Sequence, residues 1–354
     1  MDSYVAVAVQ NSLRACTRRE ELRANIEHCL MLIEKNAMFF ERQLGYPVRL
    51  VVLPEYCFSD WRGVTAPWWD KPVDPAAVCI EIPGEETQLI AATARKMDIY
   101  IAAHALEIKK ELPGYFFNCG FIVSPQGEVI YSRNKTEHAG FLMYASPHDV
   151  LDSYMKLYSN GRSVGETLYP VVDTPIGRLG MCMCYEMIIP ELHRQLVSNG
   201  AEVILRPTAE MDMFQTAPTD VSQVLDRARA IENVAYYVTA QLGPSKLRAA
   251  TDDWAGSSRI ISYDGRVLAQ AGTHGETLIG AVIDIDRLRH VRSRGQTYLA
   301  KSVPLNGARG LPLYRPETYD YHLRTSYPPN QWESGPQTRD QKWAFIKKLA
   351  EPGT

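Results

Sequence analysis

The chain contains the run Gly180-Met-Cys-Met-Cys-Tyr-Glu-Met-Ile-Ile-Pro-Glu-Leu192, in which apolar residues lead into Cys184. These apolar residues predict a strand, and Pro190-Glu191 is typical of the first turn of a helix. A thiol between a strand and a helix N-terminus forms a thiolate readily, because the helix dipole and free backbone N–H groups stabilise negative charge. This run therefore predicts Cys184 as a nucleophile.

The composition is typical of a soluble globular protein. Of the 354 residues, 45% are hydrophobic and 22% are charged, which is enough apolar content for a sizeable core. The net charge of −3 excludes the basic excess of proteins that bind nucleic acid or membrane surfaces, so we expect neither partner. The N-terminus lacks the basic region of a signal peptide, and the seven cysteines show no disulfide spacing. These features predict a cytoplasmic protein with free thiols.

Outward from Cys184, strand and helix patterns alternate with hairpins along most of the chain. Such βα units with intervening hairpins predict an α/β fold in which helices cover the outer faces of two sheets. The helices are expected at residues 17–43, 85–97, 190–199 and 221–235. The strands are expected at residues 4–9, 48–55, 99–107, 115–123, 128–132, 168–174, 179–184, 201–207, 236–242, 257–263, 266–271 and 276–284.

Two parts of the chain lack these patterns. Residues 134–170 are predicted to be irregular, and residues 298–354 form a tail rich in Pro, Tyr, Arg and Asn. We expect a single domain over residues 1–297, because no linker composition interrupts it. The tail has more aromatic residues than a typical disordered segment, so we expect it to pack on its own domain or on a neighbouring subunit.

Three polar side chains, Glu55, Lys135 and Cys184, stand at the ends of strand-like segments. The chemistry of amide or nitrile cleavage gives each of them a role, with the thiolate attacking carbon to form a covalent intermediate. A carboxylate takes the thiol proton and later activates water, while a fixed cation and a backbone N–H stabilise the oxyanion. Apolar residues and Pro54 precede Glu55, so we expect a buried base with a raised pKa.

On these residues the chain resembles the nitrilase superfamily of carbon–nitrogen hydrolases, over roughly residues 4–290. The resemblance implies a Glu-Lys-Cys triad in a four-layer α-β-β-α sandwich. It also implies a homodimer or larger homo-oligomer that pairs through helices near the active site, with no metal or organic cofactor. The motifs that carry it, in order, are Leu53-Pro-Glu55, Gly127-Glu-Val-Ile-Tyr131 leading to Lys135, Thr174-Pro-Ile-Gly-Arg-Leu-Gly180, Cys184-Tyr-Glu186, Arg229-Ala-Ile-Glu-Asn233, Gly256-Ser-Ser-Arg-Ile260 and Asp264-Gly-Arg-Val-Leu268.

The lysine motif departs from the pattern of that superfamily. Many members have Tyr-Arg-Lys, whereas this chain has Tyr131-Ser-Arg-Asn-Lys135, so Arg133 is an alternative cation. We favour Lys135, because a compact ammonium group matches an oxyanion better than a fixed guanidinium group does.

The second carboxylate of many members also has no direct counterpart. No glutamate lies between Glu137 and Glu166. Asp152, which precedes an aromatic-rich run, is the best substitute, with Asp149 and Glu137 as alternatives.

Substrate contacts are expected from residues beside the nucleophile and at the next strand end. We predict Tyr185, Glu186 and Asp152 as substrate-binding residues. Arg206 either pairs with a substrate carboxylate or forms a structural salt bridge, and the sequence leaves both open. Other residues expected to shape the pocket are Trp61, Trp68, Trp69, His138, Tyr144, His148 and Tyr154.

Several alternatives to this hydrolase site are weaker. Cys182-Met-Cys184 has no second cysteine pair, which a structural zinc site needs. A papain-like Cys-His pair would require His193, but His193 lies on the following helix, which is expected to direct it away from Cys184.

The expected activity is cleavage of a small amide or an N-carbamoyl amine. A true nitrilase is less favoured, because those enzymes usually carry Trp after the cysteine, where this chain has Tyr185. A catalytically silent binding protein is the alternative of another class.

Overall fold

The computed structural model describes residues 2–12, 14, 16–59, 73–137, 144–210, 220–243, 254–273 and 275–294. The strands are β1 (Tyr4–Gln10), β2 (Val48–Val52), β3 (Tyr100–Ile108), β4 (Phe116–Val123), β5 (Val129–Asn134), β6 (Val171–Thr174), β7 (Gly177–Met181), β8 (Val203–Thr208), β9 (Tyr236–Gln241), β10 (Arg259–Ile261), β11 (Val267–Gln270) and β12 (Thr277–Ile283). The α-helices are α1 (Arg19–Leu44), α2 (Pro75–Val78), α3 (Glu85–Met97), α4 (Leu151–Tyr158), α5 (Val164–Leu168), α6 (Pro190–Ser198), α7 (Val221–Asn233) and α8 (Ile285–Arg294). Two 3-10 helices span Pro147–Val150 and Cys184–Ile188.

The strands form two six-stranded sheets with the same internal pattern. The first sheet has the order β12-β1-β2-β3-β4-β5, and the second has the order β11-β10-β9-β8-β7-β6. In each sheet three central strands pair in parallel, namely β1, β2 and β3 in the first and β7, β8 and β9 in the second. Antiparallel strands complete both edges. The carboxyl ends of the parallel strands therefore lie on the same side of each sheet, and the loops that follow these strands begin there.

The two sheets pack face to face between outer helices. Along β1, Val5, Val7 and Val9 pack in a core with α1 and α3, whereas Ala6 and Ala8 point to the second sheet, as the alternation of strand side chains requires. Helices α6 and α7 cover the outer face of the second sheet. This α-β-β-α arrangement of four layers confirms the predicted fold class.

Helix α1 shows how the pattern of the sequence produces one outer layer. Its buried residues include Ile26, Leu30, Ile33 and Ala37, which recur at the three- and four-residue spacing of one helix face. The helix ends at Gly45, whose φ of 74° is the left-handed conformation that glycine adopts without steric cost.

The prediction that residues 134–170 are irregular is wrong in the part that the structure describes. This segment contains a 3-10 helix and the short helices α4 and α5. The 3-10 helix and α5 are capped locally, since Ser146 accepts from the backbone of His148 and Ser163 accepts from that of Glu166. Helices of one or two turns show too little apolar periodicity to be detected in sequence. Helix α8 was also not predicted, whereas α3 has the predicted bounds.

The predicted tail at residues 298–354, and the expected domain boundary before it, lie outside the described residues. They stay predictions. In the part of the chain that the structure describes, every helix is too short or too polar to cross a membrane.

Candidate active site

Glu55 and Lys135 form a buried ion pair between the two sheets. Glu55 follows β2 through Leu53 and Pro54, and Lys135 directly follows β5. The Lys135 Nζ donates to Glu55 Oε1 at 2.8 Å, and the two side chains are only 2% and 1% exposed. The Tyr144 ring closes one side, with its centroid 5.9 Å from Lys135 Nζ. The fold therefore brings together a carboxylate and an ammonium group that lie 80 residues apart in sequence.

Cys184 lies at the start of a 3-10 helix, where the chain leaves the extended conformation that Met183 still has after the end of β7 at Met181. Its φ of 46° is left-handed, a conformation that costs a non-glycine residue about 1–2 kcal/mol. Tyr56, which follows Glu55, is also left-handed with a φ of 56°. Strained residues of this kind cluster at functional sites, where the surrounding structure holds them. The preceding Cys182 is fully buried in the core, so Cys184 alone reaches the site.

The thiol of Cys184 is protonated at rest, which contradicts the expectation of a readily formed thiolate. Removal from water and the nearby charge of Glu55 raise its pKa to about 12, against the opposing charge of Lys135. The helix dipole contributes little, because α6 begins only at Pro190 and the intervening helix has a single turn. The nucleophile therefore needs a base to remove its proton.

The charge on Glu55 also differs from the expectation. Burial by itself raises the pKa of this carboxyl, but the charge of Lys135 and hydrogen bonds from Lys135 and Asn118 outweigh burial and lower it. Burial opposes the charge on Lys135, yet Glu55 raises the pKa of Lys135 above its ordinary value. The site therefore holds a carboxylate, an ammonium group and a neutral thiol, which is the proton arrangement that a general base starts from.

Arg133 and Glu186 form a second buried ion pair beside the first. Arg133 donates to Glu186 through Nη1 at 2.6 Å and Nη2 at 2.8 Å, and both side chains are at most 1% exposed. The carboxylate also accepts from the backbone N–H groups of Met183 and Thr136. These bonds use the guanidinium of Arg133, so Lys135 is the cation that pairs with Glu55. Both oxygens of Glu186, a residue predicted to contact substrate, therefore already accept bonds within the protein.

Arg206 takes the structural salt bridge that the sequence left open. It is fully buried and pairs with Asp226 at 3.0 Å and with Glu210, while Arg259 pairs with the same Asp226 at 2.8 Å. Arg206 Nη2 also donates to the backbone carbonyl of Cys184 at 3.3 Å. This hydrogen bond from the guanidinium therefore stabilises the strained backbone at Cys184.

The comparison with protein families agrees with this geometry. The carbon–nitrogen hydrolase family model matches residues 5–293. The chain belongs to the carbon–nitrogen hydrolase family. The hydrolase is 30% identical to the omega-amidase NIT2-B of Xenopus laevis over 70% of its own chain and 80% of that protein. It is 28% identical to the human omega-amidase NIT2, over 74% and 86% of the two chains.

A solved structure shares the fold of the hydrolase. A carbon–nitrogen hydrolase from Helicobacter pylori superposes with a TM-score of 0.64 at 21% sequence identity. The match covers 91% of this chain and 98% of that one. At this identity the likeness concerns the fold alone, and it agrees with the four-layer sandwich.

The structure does not bring Asp152 into this cluster. Asp152 is exposed in the first turn of α4, whereas Tyr154 on the same helix turns inward and donates to Asn134. Of its alternatives, Asp149 accepts from the Ser146 backbone in a local cap. Glu186 is a second carboxylate near Lys135. Burial raises the pKa of Glu186, but the charges of Arg133 and Lys135 lower it.

Other predicted pocket residues have varied positions in the hydrolase. Tyr185 is 41% exposed beside Cys184, and Tyr144 is fully buried. His193 lies on the buried face of α6, with its Nδ1 2.9 Å from the Tyr237 hydroxyl. Among the described residues, no cluster of three metal-ligating side chains is present. The predicted pocket residues that lie outside the described ranges are Trp61, Trp68, Trp69 and His138.

Two polar residues that contact the site were not predicted from the sequence. Asn118 donates to Glu55 Oε1 at 2.8 Å, and His104 contacts Asn118 at 2.8 Å. Both are fully buried on neighbouring strands β3 and β4. The available signal was a single polar residue inside each of two apolar runs, Ile101-Ala-Ala-His-Ala-Leu106 and Phe116-Phe-Asn-Cys-Gly-Phe121. A buried polar side chain needs a partner, which such a run does not supply locally.

Proposed function

We propose that this hydrolase cleaves the C–N bond of a small amide, with Cys184 as nucleophile, Glu55 as general base and acid, and Lys135 as the oxyanion cation. The observation that carries the proposal is the buried contact of 2.8 Å between Lys135 Nζ and Glu55 Oε1, beside a thiol whose pKa responds to both charges. The omega-amidases to which the chain is similar support an amide as the substrate class.

In the proposed reaction, Glu55 takes the Sγ proton of Cys184 as the sulfur attacks the amide carbon. The carbonyl oxygen becomes an oxyanion, which the charge of Lys135 and a backbone N–H stabilise. Glu55 then gives its proton to the amide nitrogen, so the C–N bond breaks, ammonia or an amine leaves, and a thioester remains. Water attacks the thioester after losing a proton to Glu55. The acid leaves, and the proton returns to the sulfur.

A screen for ammonia or amine release tests the substrate class. Small amides and N-carbamoyl amines are expected to be turned over, with nitriles slower or inert. Tyr185, exposed beside Cys184, is proposed to contact the substrate, so Tyr185→Ala should raise KM. Turnover of nitriles in preference to amides would contradict the proposal.

A substitution pair tests the nucleophile. Cys184→Ala is expected to be folded and inactive, whereas Cys182→Ala should keep turnover, since Cys182 is buried two residues earlier in the core. Intact mass spectrometry with an electrophilic amide analogue should show one adduct in the wild type and in Cys182→Ala, and none in Cys184→Ala. Full activity of Cys184→Ala, or no adduct across a broad panel, would favour a binding protein instead.

We also propose that the hydrolase is a cytoplasmic homodimer or larger homo-oligomer, with no nucleic-acid or membrane partner. Its seven free cysteines support a reducing compartment. Apolar side chains stay exposed on the 3-10 helix that begins at Cys184 and on α7, which contacts it, namely Ile188 at 38% and Val224 at 58%. Light scattering should show that Val224→Lys shifts a dimer toward monomer, while Met38→Lys, exposed on α1 behind the other sheet, does not. A monomeric wild type would overturn this part of the proposal.

A further inference from the structure

A chain of hydrogen bonds runs from the backbone to the base through two strands. The backbone N–H of Tyr56 donates to His104 Nδ1 at 2.9 Å, and His104 Nε2 lies 2.8 Å from Asn118 Oδ1. Asn118 Nδ2 then donates to Glu55 Oε1 at 2.8 Å and to the Tyr56 hydroxyl at 3.1 Å. All four residues are at most 4% exposed. The chain starts and ends within the same dipeptide, Glu55-Tyr56.

Both ends of this chain fix the direction of every bond in it. A backbone N–H can only donate, so His104 Nδ1 must accept and its Nε2 must carry the proton. A carboxylate can only accept, so the NH₂ group of Asn118 must face Glu55 and its oxygen must face His104. The histidine tautomer and the amide orientation are therefore determined by their partners. Burial lowers the pKa of His104 to about 4, against the charge of Glu55, so the ring is neutral as this arrangement requires.

The chain also distinguishes the two oxygens of the base. Glu55 Oε1 accepts two hydrogen bonds of 2.8 Å, from Lys135 and Asn118. Among the described residues, no hydrogen bond reaches Oε2. The titratable groups around Glu55 are Lys135, His104, Cys184, Tyr56 and Tyr144. Oε1 of Glu55 is therefore held by two donors, whereas Oε2 can still accept a proton.

We propose that His104 and Asn118 are positioning residues that hold Glu55 through Oε1 and reserve Oε2 for proton exchange with Cys184. His104 also holds the left-handed turn at Tyr56, because its Nδ1 accepts the N–H of that residue. The inference rests on the proposed role of Glu55 as the base. It assigns a catalytic consequence to a histidine that is otherwise a satisfied core residue.

Two substitutions of His104 separate its two hydrogen bonds. In His104→Gln the side-chain amide can replace the Nε2 donor to Asn118, whereas in His104→Asn the amide oxygen can replace the Nδ1 acceptor and the donor is lost. Both substitutions remove the imidazole ring, and both new side chains are neutral. We expect His104→Gln to keep kcat within a few fold, and His104→Asn to lower kcat about 10- to 100-fold, the usual range for an outer orienting partner. KM should change little in either.

Asn118→Leu removes the donor to Glu55 while keeping a side chain of similar size. Since the Asn118 bond helps to lower the pKa of Glu55, its loss should move the acid limb of the kcat/KM profile to higher pH. We expect kcat to fall about 100-fold, as for a catalytic group that is displaced slightly. His193→Asn is the matched control, because His193 is also fully buried but contacts Tyr237 instead of the site. Its kcat/KM profile should match the wild type.

The outcomes distinguish this inference from the proposed function. If Glu55→Gln stays active, the proposed function fails and the inference fails with it. If Glu55→Gln is inactive while Asn118→Leu keeps the wild-type kcat and acid limb, the positioning role alone is overturned. Equal loss of kcat in His104→Gln and His104→Asn, at equal thermal stability, also overturns it. If Asn118→Leu does not fold, the His104 pair decides, since each of its members keeps one of the two bonds.

Discussion

Replacing Glu186 by glutamine tests whether this carboxylate is structural or contacts substrate. Glu186 accepts five hydrogen bonds of 3.0 Å or shorter, two of them from the guanidinium of Arg133. Glutamine keeps one acceptor oxygen and points N–H groups at donors, so Arg133 is left buried without a counter-charge. Breaking a buried pair in this way costs about 3–5 kcal/mol. At about 2 °C per kcal/mol for a chain of this size, Tm should fall by about 6–10 °C.

Differential scanning fluorimetry and steady-state kinetics on the same samples measure this effect. Glu191→Gln is the matched control, because Glu191 is exposed in the first turn of α6, and its Tm should change by about 1 °C or less. At temperatures below the unfolding transition, the KM of Glu186→Gln should stay close to that of the wild type. The double variant Arg133→Met/Glu186→Leu should recover part of the lost stability, since no unpaired charge remains. An unchanged Tm with a tenfold rise in KM would refute the structural role and restore the predicted substrate contact.

Acid pH provides a second measurement of the same pair. The pKa of Glu186 is lowered from 4.5, because Arg133 and its hydrogen bonds outweigh the burial that raises it. A lowered pKa in the folded state contributes stability above the unfolded value of 4.5, and this stability is lost as pH falls through the folded pKa. The wild-type Tm should therefore decrease below about pH 4.5 more steeply than that of Glu186→Gln.

Three further predictions concern the site and its support. Since the pKa of Cys184 is raised to about 12, iodoacetamide should alkylate this thiol in the free protein at a rate that rises about tenfold per pH unit from pH 7 to 10. Mass spectrometry can monitor this alkylation rate. A rate that is already constant near pH 7 would show a preformed thiolate. Since the pKa of Glu55 is lowered from 4.5, kcat/KM should lose activity on the acid side only below that value, and an acid limb near pH 7 would contradict the ion pair with Lys135. Asp226→Asn leaves Arg206 and Arg259 buried without their shared carboxylate and should cost about 3–5 kcal/mol in urea unfolding, so an unchanged midpoint would argue against the network.

Much of the architecture was predictable because its signals are local. The alternation along β1 and the helical spacing in α1 each specify which side chains face the core, and the structure has both elements close to the predicted bounds. Elements with weak local signals were missed, such as α4 and α5, which are too short for a period to develop. His104 and Asn118 were also missed, because each is a lone polar residue in an apolar strand and therefore gives a weak local signal.

The order of residues along the chain specifies which chemical groups are present and which of them follow a strand. It placed Glu55, Lys135 and Cys184 at strand ends, and the motif order was enough to predict the family and the sandwich. These features depend on neighbouring residues along the chain, so they can be read without coordinates.

The pairing of the buried charges, and the protonation state of each group, depend on the three-dimensional fold. Arg133 and Lys135 are two residues apart, yet they bind different carboxylates, Glu186 and Glu55, because adjacent strands and turns present those carboxylates from distant parts of the chain. Burial and these pairings then set the charge states, so that Cys184 is a neutral thiol beside an ionised base. A pKa depends on distance and solvent access in three dimensions, and neither quantity is encoded in the spacing of residues along the sequence.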